Sequence, residues 1–163
     1  MKKLKWISVP ALLLICASAF ASSDKTLIPA PDNATYKEEC GSCHMAYPPK
    51  FLIADDWRRM MDGLDKHFGQ DASLNAQDRQ TILDYLRSNA SSNTRWRSAD
   101  SSRITDTQWF KEKHHEMSGK VYSSNTIKSA SNCTACHAQA ERGLWHSGHE
   151  HARSIFNWGE DDD

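Results

Sequence analysis

The sequence predicts a mostly α-helical chain, built as two small modules with a good deal of irregular chain around them. Three observations carry that expectation. Apolar residues recur at helical spacing between Phe51 and Phe68, capping residues precede several short apolar stretches, and strand-like alternation is weak throughout. A mean hydropathy of −0.70 and the lack of long apolar runs further predict a thin aliphatic core, which something other than protein side chains must help to fill.

The chain opens with Met1-Lys2-Lys3-Leu4-Lys5, an apolar run from Val9 to Ala17 and the small-x-small triplet Ala19-Phe20-Ala21. This is the layout of a secretory signal peptide over residues 1–21, with the mature chain starting near Ser22. The run falls short of the roughly 18 apolar residues that a membrane span needs. No longer run follows, so no transmembrane segment is expected in the mature chain, with a retained N-terminal anchor as the alternative. Cys16 follows Leu14-Ile15 rather than the small residue of a lipid-attachment site, and is read as part of the signal. Removing residues 1–21 takes out Lys2, Lys3 and Lys5 and no acid, leaving 17 basic against 21 acidic side chains and a formal charge of −4. That balance argues against a nucleic-acid partner.

Residues 22–90 form the expected first module. Thr35-x-x-Glu38 is a capping box for a short helix through Tyr36 and Cys40, and Pro48-Pro49 then breaks the chain. Phe51, Leu52, Ile53, Trp57, Met60, Met61, Leu64 and Phe68 predict one amphipathic helix over 51–68, ended by Gly69. A third helix is expected from Ala76 to Asn89, capped by Asn75 and burying Ile82, Leu83, Tyr85 and Leu86. The Ser- and Asn-rich stretch that follows reads as a linker over 91–104, with Trp96 as the one residue able to pin it. Residues 105–163 form the second module: Thr105-Asp106-Thr107 offers caps for a helix from Gln108 to Met117, and Asn132 for another, which Gly143 terminates.

The cysteines say what fills the core. Apart from Cys16 there are four, and they fall as Cys40-Gly41-Ser42-Cys43-His44 and Cys133-Thr134-Ala135-Cys136-His137, two complete C-x-x-C-H haem-attachment motifs. The spacing lets two sulfurs reach one side of a porphyrin while the adjoining histidine binds the iron. A thioredoxin-like pair would need a βαβ context that is missing, and a zinc site gives no reason for a histidine directly after both pairs. The expected fold is therefore two small c-type haem modules, with irregular chain wrapped around two covalently attached haem c groups.

His44 and His137 are the expected proximal ligands, so the sixth iron position decides between electron carrier and reactive site. The candidates are His67, His114, His115, His146, His149 and His151, with Met45, Met60, Met61 and Met117 as thioether competitors. His67 continues the apolar stripe of the 51–68 helix, 23 residues after His44, and ranks first for the first haem, with Met61 as the alternative. For the second haem, only one of two helical neighbours can share the face of Trp109, Phe110 and Met117. His114 is better placed than His115. His146, His149 and His151 and the run Glu160-Asp161-Asp162-Asp163 read as a solvated tail, with adventitious metal binding or steering of a basic partner as alternatives.

The segment Tyr36 to Ala90, with Ala46-Tyr47-Pro48-Pro49, Trp57, Met61, His67-Phe68-Gly69, Asp71-Ala72, Tyr85-Leu86 and Asn89-Ala90 around the first motif, resembles the periplasmic dihaem cytochrome c family. Phe110, His114, Lys128-Ser129 and Asn132 extend the likeness through the second motif, so that it covers residues 36–143. The resemblance implies low-potential, bis-histidine haems with His67 and His114 as distal ligands. It also implies work beside a membrane b-type cytochrome and a small oxygen-binding c-type cytochrome. The expectation is a periplasmic electron-transfer protein, not an enzyme; the alternative is a small dihaem enzyme or haem-based ligand sensor with one open or detachable distal site. The tail after Gly143 departs from the family's ending.

Overall fold

The computed structural model describes residues 26–145. The expected signal peptide over residues 1–21, His146, His149, His151 and the acidic run Glu160-Asp161-Asp162-Asp163 lie outside the described residues. The chain is mostly α: α1 (Ala34–Gly41), α2 (Ala54–Asp62), α3 (Ala76–Asn89), α4 (Gln108–Lys113) and α5 (Gly119–Tyr122), joined by 3-10 turns and irregular chain. Two short strands, β1 (Thr26–Leu27) and β2 (Leu144–Trp145), pair antiparallel, Thr26 with Trp145 and Leu27 with Leu144. Among the described residues no helix is long and apolar enough to cross a membrane.

α3 has the expected bounds, because Asn75 accepts from the Asp78 N–H at its start and Ile82, Leu83 and Leu86 recur on one buried face. α1 starts one residue before the expected box: Asn33, not Thr35, is the cap, its side chain accepting from Tyr36 N at 2.8 Å. The larger correction concerns residues 51–68. The helix is only α2, and it stops at Gly63, whose N–H turns back to Met60 O at 3.2 Å. Glycine costs about 1 kcal/mol in a helix interior relative to alanine. The chain then tightens into the 3-10 turn Leu64–Lys66, in which Leu64 still packs partly on the core while Phe68 beyond it is exposed. Phe68 and Gly69 then reverse direction at φ 50° and 98°. α4 likewise ends at Lys113 rather than Met117, leaving His114 as its C-cap.

Tyr36, Leu52, Trp57, Met61, Ile82, Leu83 and Leu86 make one core between α1, α2 and α3. Ile28, Phe51, Ile53 and Trp96 make a second, against which Trp109 and Trp145 pack. The Trp96 and Trp109 rings lie 4.0 Å apart and nearly parallel, and Phe51 meets Trp96 at 5.3 Å and Trp145 at 4.8 Å. Trp96 thus holds the 91–104 segment against both the first half of the chain and α4.

A buried carboxylate fixes the same segment. Asp56 on α2 has no solvent exposure, and it accepts from Ser98 N at 2.6 Å and Ser98 Oγ at 3.0 Å while pairing with Arg59. Arg59 also donates to the Ala99 carbonyl. Replacing Asp56 by Ala strands three donors at once. We expect Asp56→Ala to cost about 2–4 kcal/mol, at the lower end of buried-pair losses because Arg59 keeps access to water. Urea denaturation followed by far-ultraviolet circular dichroism checks this, and a loss below about 1 kcal/mol would show that the clamp contributes little.

Candidate haem sites

The first motif leaves the C-terminal end of α1. Cys40 lies in its last turn, Ser42 is its C-cap, and Cys43 and His44 follow on exposed chain. The His44 ring stacks on Tyr47, centroids 4.9 Å apart, and its Nδ1 lies 2.7 Å from Met45 O. A proton on Nδ1 donated to that carbonyl leaves Nε2 as a lone-pair donor, the usual arrangement of a metal-binding histidine.

Facing His44 is His67, centroids 6.1 Å apart with the planes inclined by 27°. The turn after Gly63, not a helix face, brings it there. His67 is half-buried, and its Nδ1 is enclosed with no hydrogen-bond partner. Burial lowers its pKa, with His44 and Arg103 pushing the same way, so the ring is held neutral and able to ligate. Beyond it Phe68 is 45% exposed, with the Arg103 guanidinium 4.0 Å from its ring centre. Met61 and Met45 are buried, Met61 within the α1–α3 core.

The second motif does not lie on a helix. Cys133–Ala135 is a single 3-10 turn and Ala140–Arg142 another, ended by Gly143. Asn132 makes no side-chain cap; its Nδ2 donates instead to Ile127 O at 2.9 Å. His137 N donates to Cys133 O at 2.8 Å, which closes the turn that carries the histidine. Opposite it stands His114, again with centroids 6.1 Å apart, the planes now perpendicular at 90°. His114 is steered by α4: its ring stacks on Phe110 at 4.1 Å and its Nδ1 lies 2.9 Å from Phe110 O. His115 is exposed, its Nδ1 2.9 Å from Glu112 O and its Nε2 3.8 Å from the Glu116 carboxylate.

The donor set suits a haem at both places. A metal–imidazole bond is about 2.0 Å, so two rings bound on opposite sides of one metal have centroids roughly 6 Å apart. Both pairs stand at 6.1 Å. The described buried side-chain polar atoms without a partner are Arg59 Nε, His67 Nδ1 and Tyr122 Oη. One of them lies at each site. The Tyr122 phenol is pushed up to about 12 by burial and by the neighbouring Cys136 and Cys133. Burial likewise raises Cys40 to about 11 and Cys133 to about 12.

Tyr47 and Tyr122 are the site residues to which the sequence reading gave no role. Tyr47 stands three positions after His44, a spacing that invites contact; nothing local marks Tyr122, whose place depends on α5 packing near the second motif.

A search of the curated proteins gives no match. Among solved structures, a dihaem cytochrome c from Rhodobacter sphaeroides is 39% identical, with 72% of this chain and 99% of that one covered at a TM-score of 0.64. A dihaem cytochrome of type c from Shewanella baltica is 40% identical, with 71% and 88% covered at a TM-score of 0.61. The family model for dihaem cytochrome c matches residues 36–145, from the α1 core tyrosine to the end of β2. Two attachment motifs, each with a second histidine brought over it, are thus held in a fold shared with proteins of the same kind: the chain belongs to the dihaem cytochrome c family and carries two covalently attached haem c groups.

Proposed function

We propose that the protein carries electrons between redox partners in the periplasm through two low-potential, bis-histidine haems. Cys40 and Cys43 would hold the first haem, with His44 and His67 on its iron; Cys133 and Cys136 would hold the second, with His137 and His114. The observation that supports this most is the pair of 6.1 Å imidazole spacings, each joining a motif histidine to one that is distant in sequence. The export pattern at residues 1–21 supports a periplasmic location. The family resemblance supports a membrane b-type cytochrome and a small oxygen-binding c-type cytochrome as partners.

Each haem supplies reversible one-electron chemistry when bound. The protein's part is to set potential and access. Carbonyl acceptors at Met45 and Phe110 strengthen the donor character of His44 and His114, which favours the ferric state and a low potential. His67 and His114 would occupy the remaining iron positions and so leave none for an external ligand, and the haems would supply outer-sphere electron transfer.

The test is optical and potentiometric. Reduced protein should show no spectral change with carbon monoxide. His67→Met and His114→Met should each raise the potential of one haem, on the order of 100 mV within the ~0.8 V that axial ligands span. Carbon monoxide binding at either iron of the wild type would overturn the closed-site reading in favour of a small dihaem enzyme or ligand sensor. Six-coordinate iron persisting in His114→Ala but lost in His115→Ala would reassign the second distal ligand.

A further inference from the structure

Tyr47 touches both haem sites. Its ring stacks on His44 of the first motif at 4.9 Å. Its hydroxyl donates to Ser131 O at 2.6 Å, across 84 residues of sequence. That carbonyl oxygen also accepts the N–H of Cys133 at 3.0 Å, so the phenol is one shared acceptor away from the first cysteine of the second motif. The tyrosine is not free to follow either side. Tyr36, buried in the α1–α3 core, donates through its hydroxyl to Tyr47 O at 2.7 Å, and the Tyr47 side chain packs against both core clusters. Pro48 and Pro49 follow directly and stiffen the backbone beyond it.

The second motif needs such a support. Its backbone is a single 3-10 turn, with no helix to fix its direction and no side-chain cap from Asn132. We propose that Tyr47 is a positioning residue that couples the two haem sites: it ties the polypeptide entering the second motif to the rigid half of the molecule, through the ring that backs His44. This rests on the reading that His44 and Cys133 serve their respective haems. The coupling acts on the exchange of a single electron, in which one iron passes from ferrous to ferric and the other from ferric to ferrous. No proton moves, and the phenol stays protonated.

Tyr47→Phe keeps the ring on His44 and removes only the hydrogen bond, whereas Tyr47→Leu removes both. In the dihaem holoprotein, Tyr47→Phe should leave both haems attached and six-coordinate. Amide exchange over residues 132–137 should become about three- to tenfold faster, the factor that one net hydrogen bond represents. The potential of the second haem should fall, because a loosened entry segment admits water that favours the ferric charge, while that of the first stays put. Tyr47→Leu should move both potentials. Loss of the second haem alone from Tyr47→Phe would also support the coupling. Faster exchange with the second potential unchanged would reduce the bond to a local tether and overturn the proposal. So would a shift confined to the first haem, loss of both haems, or no change at all. Unchanged ligation spectra in Tyr47→Phe, whatever the potentials do, keep this outcome separate from that of the ligand assignment, which His67→Met and His114→Met decide.

Discussion

Cys136→Ala is expected to give a protein with one stably attached haem instead of two, and with the second half of its fold melted while the first stands. A c-type haem is held by two thioether bonds, so the variant keeps at most the bond at Cys133 and a histidine that no longer has a fixed porphyrin above it. The two halves differ in what they have besides haem. Between α1, α2 and α3 seven buried side chains pack against one another, and Asp56 and Trp96 tie the 91–104 segment to them. Among the described residues beyond 104 the buried apolar side chains are Phe110, Val121, Ile127 and Ala140, spread over α4, α5 and the turns that follow. Helices of six and four residues do not stand alone in water. Cys43→Ala should therefore lose its haem with far less structural damage than Cys136→Ala. Mass spectrometry counts the haems, and hydrogen exchange resolved along the chain reads the melting. Two haems both held by two thioether bonds in Cys136→Ala, read from the pyridine haemochrome spectrum, would sink the attachment assignment. Unchanged protection over residues 105–142 would show that the second half holds without its cofactor.

The contrast between the halves also explains how much could be read from the sequence. The attachment motifs are constrained by porphyrin chemistry over five consecutive residues, and such a local rule needs no fold to be visible. α3 was legible for the same reason, since its cap and its apolar face are both encoded within the element. The 51–68 helix misled because apolar residues recur in the sequence at helical spacing past the end of α2; the single residue that ends the helix, Gly63, weighs only about 1 kcal/mol in propensity. His67 still reaches the side of His44, carried by a turn instead of a helix face. A face argument ranks His114 above His115; in the structure His114 lies past the last residue of α4, with its ring 6.1 Å from that of His137, and His115 is exposed. The second motif has no helix although Asn132 offers a cap for one, because a capping residue in a loop serves loop hydrogen bonds, as Asn132 does with Ile127. The Tyr47 to Ser131 bond and the pairing of β1 with β2 join residues 84 or more positions apart, and no periodicity reports on contacts of that range.

Gly143→Ala is expected to be the most damaging single-methyl change in the described chain. Gly143 ends the turn after the second motif in the left-handed region, at φ 75°, where a Cβ costs about 1 kcal/mol by itself. The larger cost is space. A Cβ there would lie 2.7 Å from both Ala30 N and Ile28 O and 3.2 Å from Pro29 C, all of them backbone atoms that cannot rotate aside. Relief requires the strand pair to open. With it would go the Trp145 indole bond to Ile28 O at 3.3 Å, the edge contact of Trp145 on Phe51, and the indole that stands 5.5 Å from His137. We expect a loss of about 2–4 kcal/mol in the holoprotein, in the range of strained-backbone and overpacked substitutions. Because Trp145 flanks a proposed iron ligand, the second haem's potential should shift along with stability, and the first haem's should not. Gly119→Ala, outside both attachment motifs, is the matched control: nothing lies within 4 Å of its added Cβ and its φ is not positive, so it should be neutral or slightly stabilising. Equal denaturation midpoints for the two variants would mean that the pairing of β1 with β2 contributes nothing to the fold around the second haem.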